Sequence, residues 1–195
     1  MPTQGQGGLR PRLMEKLPEL LLEAASVVFA VLLALAVDEW HETRSQTALA
    51  ERARAGILEE IRINQTELRN IRDNNRALLK RIEDTRSRLE QKQNAALQFH
   101  FEIALLSSAA WNTAQMTQAA NYLDFEWLRR VSNVYELQDL YVTSQSAVVD
   151  RLSGISEILE DDPRRMLDII AERLRVALKV QDSLLEEYGK VLEQD

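Results

Sequence analysis

The sequence predicts an all-α protein: a single N-terminal transmembrane helix running into a long helix, followed by an antiparallel, coiled-coil-like helical bundle. Three observations carry this reading. Residues 20–37, LLLEAASVVFAVLLALAV, form an apolar run interrupted only by Glu23 and Ser26. As a helix the run rises about 27 Å, close to the ~30 Å hydrocarbon thickness of a bilayer. Glycine and proline then nearly vanish: between Pro18 and Pro163 there is no proline, and Gly56 and Gly154 are the only glycines. A β protein of this size needs many turn residues between strands. Finally, two heptad-like apolar seams follow the run.

Charge and cysteine content narrow the function classes. In the first 37 residues Arg10, Arg12 and Lys16 cancel Glu15, Glu19 and Glu23, so the whole net charge of −7 belongs to the remainder. An acidic domain is a poor electrostatic match to nucleic acid. The absence of cysteine rules out disulfides and thiolate metal sites. The expected organisation is a flexible basic N-terminus (1–17), a transmembrane helix and exit (18–40) and an acidic helical bundle (41–195).

A signal peptide competes for the apolar run, because basic residues precede it and Ala34-Leu35-Ala36 has the small-x-small form of a cleavage site. The run is long for that purpose, and Leu33 and Leu35 keep the supposed cleavage region helical, so a retained anchor is expected. The basic residues before the span face Asp38, Glu39, Glu42 and a single Arg44 after it, with Arg52 and Arg54 further on. The positive-inside rule then places the N-terminus in the cytoplasm and the larger domain outside.

Within the span Ser26, Ala30 and Ala34 recur every four residues, a small-residue stripe that allows close helix–helix approach in lipid. An ionisable group inside a span is a functional candidate, and Glu23 is one; it also sits about one turn from the end, within reach of headgroups. Trp40 suits an interface anchor. Asp38, His41 and Glu42 share a helix face, but no second histidine stands at ligand spacing, so a solvated collar is expected rather than a metal site.

Glu23, the run ending Leu32-Leu33-Ala34-Leu35-Ala36-Val37, two polar residues, Trp40, Glu42 and a charged helix together resemble a family of uncharacterised bacterial proteins with one N-terminal span. The resemblance covers about 25 residues plus the helical pattern behind them. Those proteins carry a mid-span glycine, where Ala30 stands here, and an asparagine-rich exit, where Asp38, Glu39 and His41 stand here. It implies a membrane-anchored helical protein of the bacterial inner membrane and brings no catalytic residues.

From Thr43 to about Gln93 the chain reads as one long helix, with Ile57, Ile61, Asn64, Leu68, Ile71, Asn75, Leu78, Ile82, Thr85 and Leu89 on a sustained seam. Asn64 and Asn75 break its apolar character. Polar residues at such positions either set register and partner number or face solvent in an irregular bundle.

Ala95 to Leu106 (AALQFHFEIALL) is apolar enough to be buried. Its alternation of Phe99, Phe101, Ile103 and Leu105 fits a strand, but no second strand signal exists, which favours a helix or an extended packed linker. Ser107 or Ser108 is then a helix cap and Trp111 a core anchor. Asp124 caps the next helix, which carries Trp127, Leu128, Val131, Tyr135, Val142, Val149 and Leu152 and ends near Leu159, loosened by Gly154. Glu160-Asp161-Asp162-Pro163 marks a boundary. Beyond it Leu167, Ile170, Leu174, Ala177, Gln181, Leu184, Tyr188 and Val191 form the second seam, suited to packing along the first long helix.

No phosphate loop, HExxH or GxSxG motif is present, and the only histidines are His41 and His100. An enzyme is not expected, nor a cofactor, metal or small-molecule substrate. The expected partners are membrane lipid and either a second copy or another helical protein. The leading function is a self-associating membrane-anchored scaffold; the alternative is an oligomeric channel or transport accessory using Glu23 and the Asp38, Glu39 and Glu42 collar.

Overall fold

The computed structural model describes residues 10–93, 100–153 and 163–193, with side chains from residue 21 onward. The expectations for residues 1–9, for Ala95 to Phe99, and for Gly154, Leu159 and the Glu160-Asp161-Asp162 boundary lie outside the described residues. Among those described there are four α-helices and one 3-10 turn, and no strand: α1 (Arg10–Glu90), α2 (Ala109–Met116), the turn (Ala119–Tyr122), α3 (Phe125–Ser153) and α4 (Pro163–Glu193). The all-α class holds. Helix begins earlier than expected, at Arg10, because Pro11 falls in the first turn, where a missing N–H breaks no helical bond.

The chain divides into two compact units, residues 1–48 and 49–195, and α1 contributes to both. In the first unit α1 carries a helical window long and apolar enough to cross a membrane, with a mean hydropathy of 2.2 and none of it buried. Leu21, Leu22, Val27, Val28, Phe29, Val31, Leu32, Leu33, Leu35 and Val37 are all more than half exposed. On the translocon scale each such side chain favours insertion by ~0.3–0.6 kcal/mol, so the ten together contribute ~3–6 kcal/mol. Glu23 opposes this by less than the ~3 kcal/mol of a mid-span carboxylate, because it lies near the end of the run.

The second unit is a bundle of the later part of α1 with α2, α3 and α4. Cross-links fix the directions. Along α1, Leu68, Arg76, Glu83, Arg86 and Leu89 meet Gln181, Asp182, Arg175, Asp168 and Arg164, so α4 runs antiparallel to α1. Glu60 meets Tyr135 and Asn64 meets Gln138, so α3 runs parallel to α1 and antiparallel to α4. Residues 102–107 run back along α1, from Asn75 to Asn64.

Both seams are buried nearly throughout. On α1 they give Ile57, Ile61, Leu68, Ile71, Leu78 and Ile82; on α4 every seam residue from Leu167 to Val191 is covered. The core falls into two clusters. One gathers Ile57, Ile61 and Leu68 with Trp127, Val131, Tyr141 and Tyr188; the other gathers Leu78 and Ile82 with Met166, Ile170 and Leu174. On α3 the buried stripe differs from the apolar one: Val142 is exposed, and Tyr141, Gln145 and Val148 face inward. Two glutamines, Gln138 and Gln145, occupy that stripe because they have backbone partners inside the bundle.

A methyl group built on Gly56 in α1 would stand 3.8 Å from Ala110 Cβ, an ordinary contact. Gly56→Ala should therefore stabilise the bundle by ~0.5–1 kcal/mol through the lower entropy of the unfolded chain, read as a raised thermal midpoint. An unchanged or lower midpoint would show that the site does not tolerate a methyl group.

Candidate functional site

The most constrained part of the molecule is a stretch with no regular secondary structure. Residues 100–107 form a strap along α1 and α3. Asn75 Nδ2 donates to the Glu102 carbonyl at 2.8 Å, and its Oδ1 accepts from the Glu102 N–H at 3.0 Å. Asn64 treats Ser107 the same way, at 2.8 and 2.9 Å. Gln145 of α3 takes both backbone groups of Ala104, at 2.8 and 3.1 Å. Each carboxamide presents one donor and one acceptor side by side, so it pairs with a residue's N–H and C=O as a neighbouring strand would.

The spacing explains why the strap is extended. Asn64 and Asn75 are eleven residues apart on a helix, which is about 16.5 Å at 1.5 Å per residue. Five steps of extended chain, from Glu102 to Ser107, cover about the same length. Asn64 and Asn75 are each 1% exposed, and an apolar residue at either position would leave buried backbone groups unpaired. They set a register, that of the strap on α1.

Next to Asn64 the hydrogen bonds continue. Asn64 Nδ2 also donates to Gln138 Oε1, which accepts from the Tyr188 hydroxyl, while Gln138 Nε2 donates to the Ser107 carbonyl and to Ser108 Oγ. Glu60, nearly buried, accepts from Ser107 Oγ at 2.6 Å, Tyr135 Oη at 2.6 Å, the Ala110 N–H at 2.9 Å and the Trp111 N–H at 3.5 Å. It caps α2 together with Ser107: of the two serines expected to cap, Ser108 makes no side-chain cap bond, while Ser107 Oγ accepts from the Ala109 N–H at 3.2 Å, and a carboxylate at a helix N-terminus also meets a favourable dipole.

Burial alone would push the Glu60 pKa up, but the bonds from Ser107, Tyr135, Ala110 and Trp111 outweigh it and hold the carboxyl below its ordinary value. Burial, then the hydrogen bond to Glu60 and its charge, push the Tyr135 hydroxyl up. Tyr188 is raised chiefly by burial. A carboxylate with four donors and two tyrosines kept neutral form a closed network with no free base.

The other expected site residues lie in the first unit. Ser26, Ala30 and Ala34 are exposed on α1, and the Ser26 hydroxyl donates to the Glu23 carbonyl at 2.8 Å. Trp40 is exposed, with the Arg44 guanidinium 5.6 Å from its ring centre. Asp38, Glu39, His41 and Glu42 are exposed as well, and Glu42 accepts from Gln46. Among the described residues no three His, Asp or Glu side chains converge as metal ligands. Trp111 is half-buried and stacks on Tyr135 at 5.3 Å, at the margin of the core. His100 lies beside Glu102, mostly exposed.

Among the described residues, the depressions on the bundle surface include two of note. One of ≈ 260 Å³ is lined by Leu49, Ala53, Gly56, Ala114 and neighbours; one of ≈ 410 Å³ lies among Ser108, Trp111, Ser132, Tyr135 and Asp139. The second carries the hydroxyls of Ser108, Ser132 and Tyr135 beside the carboxylates of Glu136 and Asp139. No protein-family model, curated protein or solved structure matches the chain. The site is therefore described by its geometry alone.

Glu60, Gln138 and Gln145 escape an apolar-pattern reading altogether. The available signal was glutamine at seam spacing: Gln138 and Gln145 stand one heptad apart, in step with Val131.

Proposed function

We propose that the chain is a single-pass membrane scaffold, anchored in the bacterial inner membrane with a cytoplasmic N-terminus, whose helical bundle acts by binding other proteins, including copies of itself. The observation that carries this reading is the window of α1 that is apolar enough to cross a bilayer and has none of its residues buried. A soluble core helix would bury such a stripe. The full set of donors on the buried Glu60 carboxylate supports a binding role over a catalytic one. The charge asymmetry around the span supports the orientation, and the resemblance to single-span bacterial proteins supports the compartment.

Crosslinking and mass photometry of the full chain in native-membrane nanodiscs test the reading. Oligomers or a co-purifying helical protein are expected. A strictly monomeric species without a partner would overturn it.

A further inference from the structure

We infer that the turn joining α2 to α3 rests in the headgroup layer of the membrane that holds the span, with Met116, Tyr122 and Phe125 as its lipid contacts. The inference deepens the reading of a membrane-anchored scaffold and depends on it.

Chain direction places the turn at the end of the bundle where α1 enters. A methyl group on Gly56 would touch Ala110, and further along α2 Ala114, Thr117 and Ala119 line a depression with Leu49 and Ala53. α2 therefore runs down α1 towards Leu49, the first residue of the bundle unit. α3 runs parallel to α1, with Glu60 meeting Tyr135. Ten residues back along both helices stand Ala50 and Phe125, so α3 begins at the same end. Ala119 is buried and Leu123 packs on the first core cluster, which holds the turn to the bundle from within.

The outer side of this turn is apolar. Met116 is 85% exposed, Phe125 72% and Tyr122 43%, and no other ten-residue stretch of the described bundle leaves three large apolar side chains uncovered. Apolar side chains grouped in this way mark an interaction surface. Two of the three are aromatic, and such rings favour the boundary between hydrocarbon and water. The carboxylates beside them are partnered: Asp124 accepts from the Trp127 N–H at 2.8 Å, and Glu126 pairs with Arg129 at 2.9 Å.

Reach and size single out the bilayer as the occupant. α1 is helical from the span into the bundle, so Leu49 lies about 18 Å beyond Val37, and headgroups fill the first ~5–8 Å of that rise. The turn sits about one interhelical distance, ~10 Å, to the side of α1, so a tilt of ~30–40°, within the range of natural spans, brings its side chains down to the headgroups. Three side chains cover far less than the ~1,200–2,000 Å² of a stable protein interface. A bilayer held close by the anchor needs no such area, because the tether keeps its effective concentration high.

The test uses the full chain in phosphatidylcholine–phosphatidylglycerol vesicles. The natural sequence has no cysteine, so Asn121→Cys in the turn and Val176→Cys on α4 each carry a single fluorophore. Val176 adjoins Arg175, which meets Glu83 at the far end of the bundle. Lipid with a nitroxide on its headgroup should quench the Asn121 label about threefold more than the Val176 label. Adding Met116→Ser, Tyr122→Ser and Phe125→Ser should bring the Asn121 label down to the Val176 level, with helicity and carbonate resistance unchanged. Should the triple variant lose its helicity, the comparison of the two labels decides alone.

Equal quenching of the two labels, or quenching that a folded triple variant leaves unmoved, would overturn the contact. Quenching that appears only at high protein-to-lipid ratio would assign the patch to a second copy and overturn it as well. If carbonate extracts the wild type, the anchored reading falls and the contact with it; if the wild type stays integral while both labels quench alike, only the contact falls.

Discussion

Glu60→Leu should lower the thermal midpoint of the bundle by about 10 °C. Removing the carboxylate strands the Tyr135 hydroxyl, the Ser107 hydroxyl and the N–H groups of Ala110 and Trp111. A buried donor without an acceptor costs roughly 1–3 kcal/mol, and because three of the four bonds are only part-buried, a total of about 4 kcal/mol is expected. At ~2–4 °C per kcal/mol for a chain of this size, that gives the stated shift. Glu60→Gln keeps the shape but turns an amide donor toward donors, and should lose somewhat less.

The two variants also share a signature in pH. Glu60 is held below its ordinary value of 4.5 in the folded chain, so its ionised form stabilises the fold. Its contribution is complete above the unfolded value and disappears as pH falls through the depressed folded one. Wild-type stability should decline on acidification below about pH 4.5, and the Glu60→Gln curve should be flatter there. Helicity measured against temperature at several pH values checks both points. Parallel curves for wild type and Glu60→Gln would show that this carboxylate is not the titrating group.

The second large effect belongs to the span. Val28→Arg with Phe29→Arg puts two guanidinium groups at the middle of the apolar run, each opposing insertion by ~2.5–3.5 kcal/mol on translocon scales. Wild-type protein is expected in the carbonate-resistant membrane fraction, and the double variant in the supernatant or in aggregates. If the double variant remained integral to the membrane, residues 20–37 would not be the anchor.

The seams show how far the residues alone lead. Counting by heptads found the inner faces of α1 and α4 because apolar burial follows helical period, and Asn64, Asn75 and Gln181 stood in those seams as visible exceptions. The strap was harder. Its alternation of Phe99, Phe101, Ile103 and Leu105 marks the odd positions as apolar, yet Ala104 and Leu106 are the ones turned toward the core, while Ile103 and Leu105 face out. Small residues carry little weight in a hydropathy pattern, so a close-packed alanine beside helices reads as neutral. Ser107 was legible as a cap of α2, but the part played by Glu60 was not, because it lies 50 residues from Ala110 and a charged residue beside Glu59 on a helix looks like solvated surface. Val142 erred the opposite way, an apolar residue placed on the outer face because the glutamines of α3 had claimed the inner one.

The strap and α1 behave like two rulers with different graduations that coincide at two marks, Asn75 with Glu102 and Asn64 with Ser107. Adding or removing one residue between the marks would shift a carboxamide off its backbone partner by about 3.3 Å, more than the tolerance of a hydrogen bond. A connection without helix or sheet is usually where a chain accepts changes of length. Here that freedom is withdrawn, and the segment that looks most like a loop is as fixed in length as the helices on either side of it.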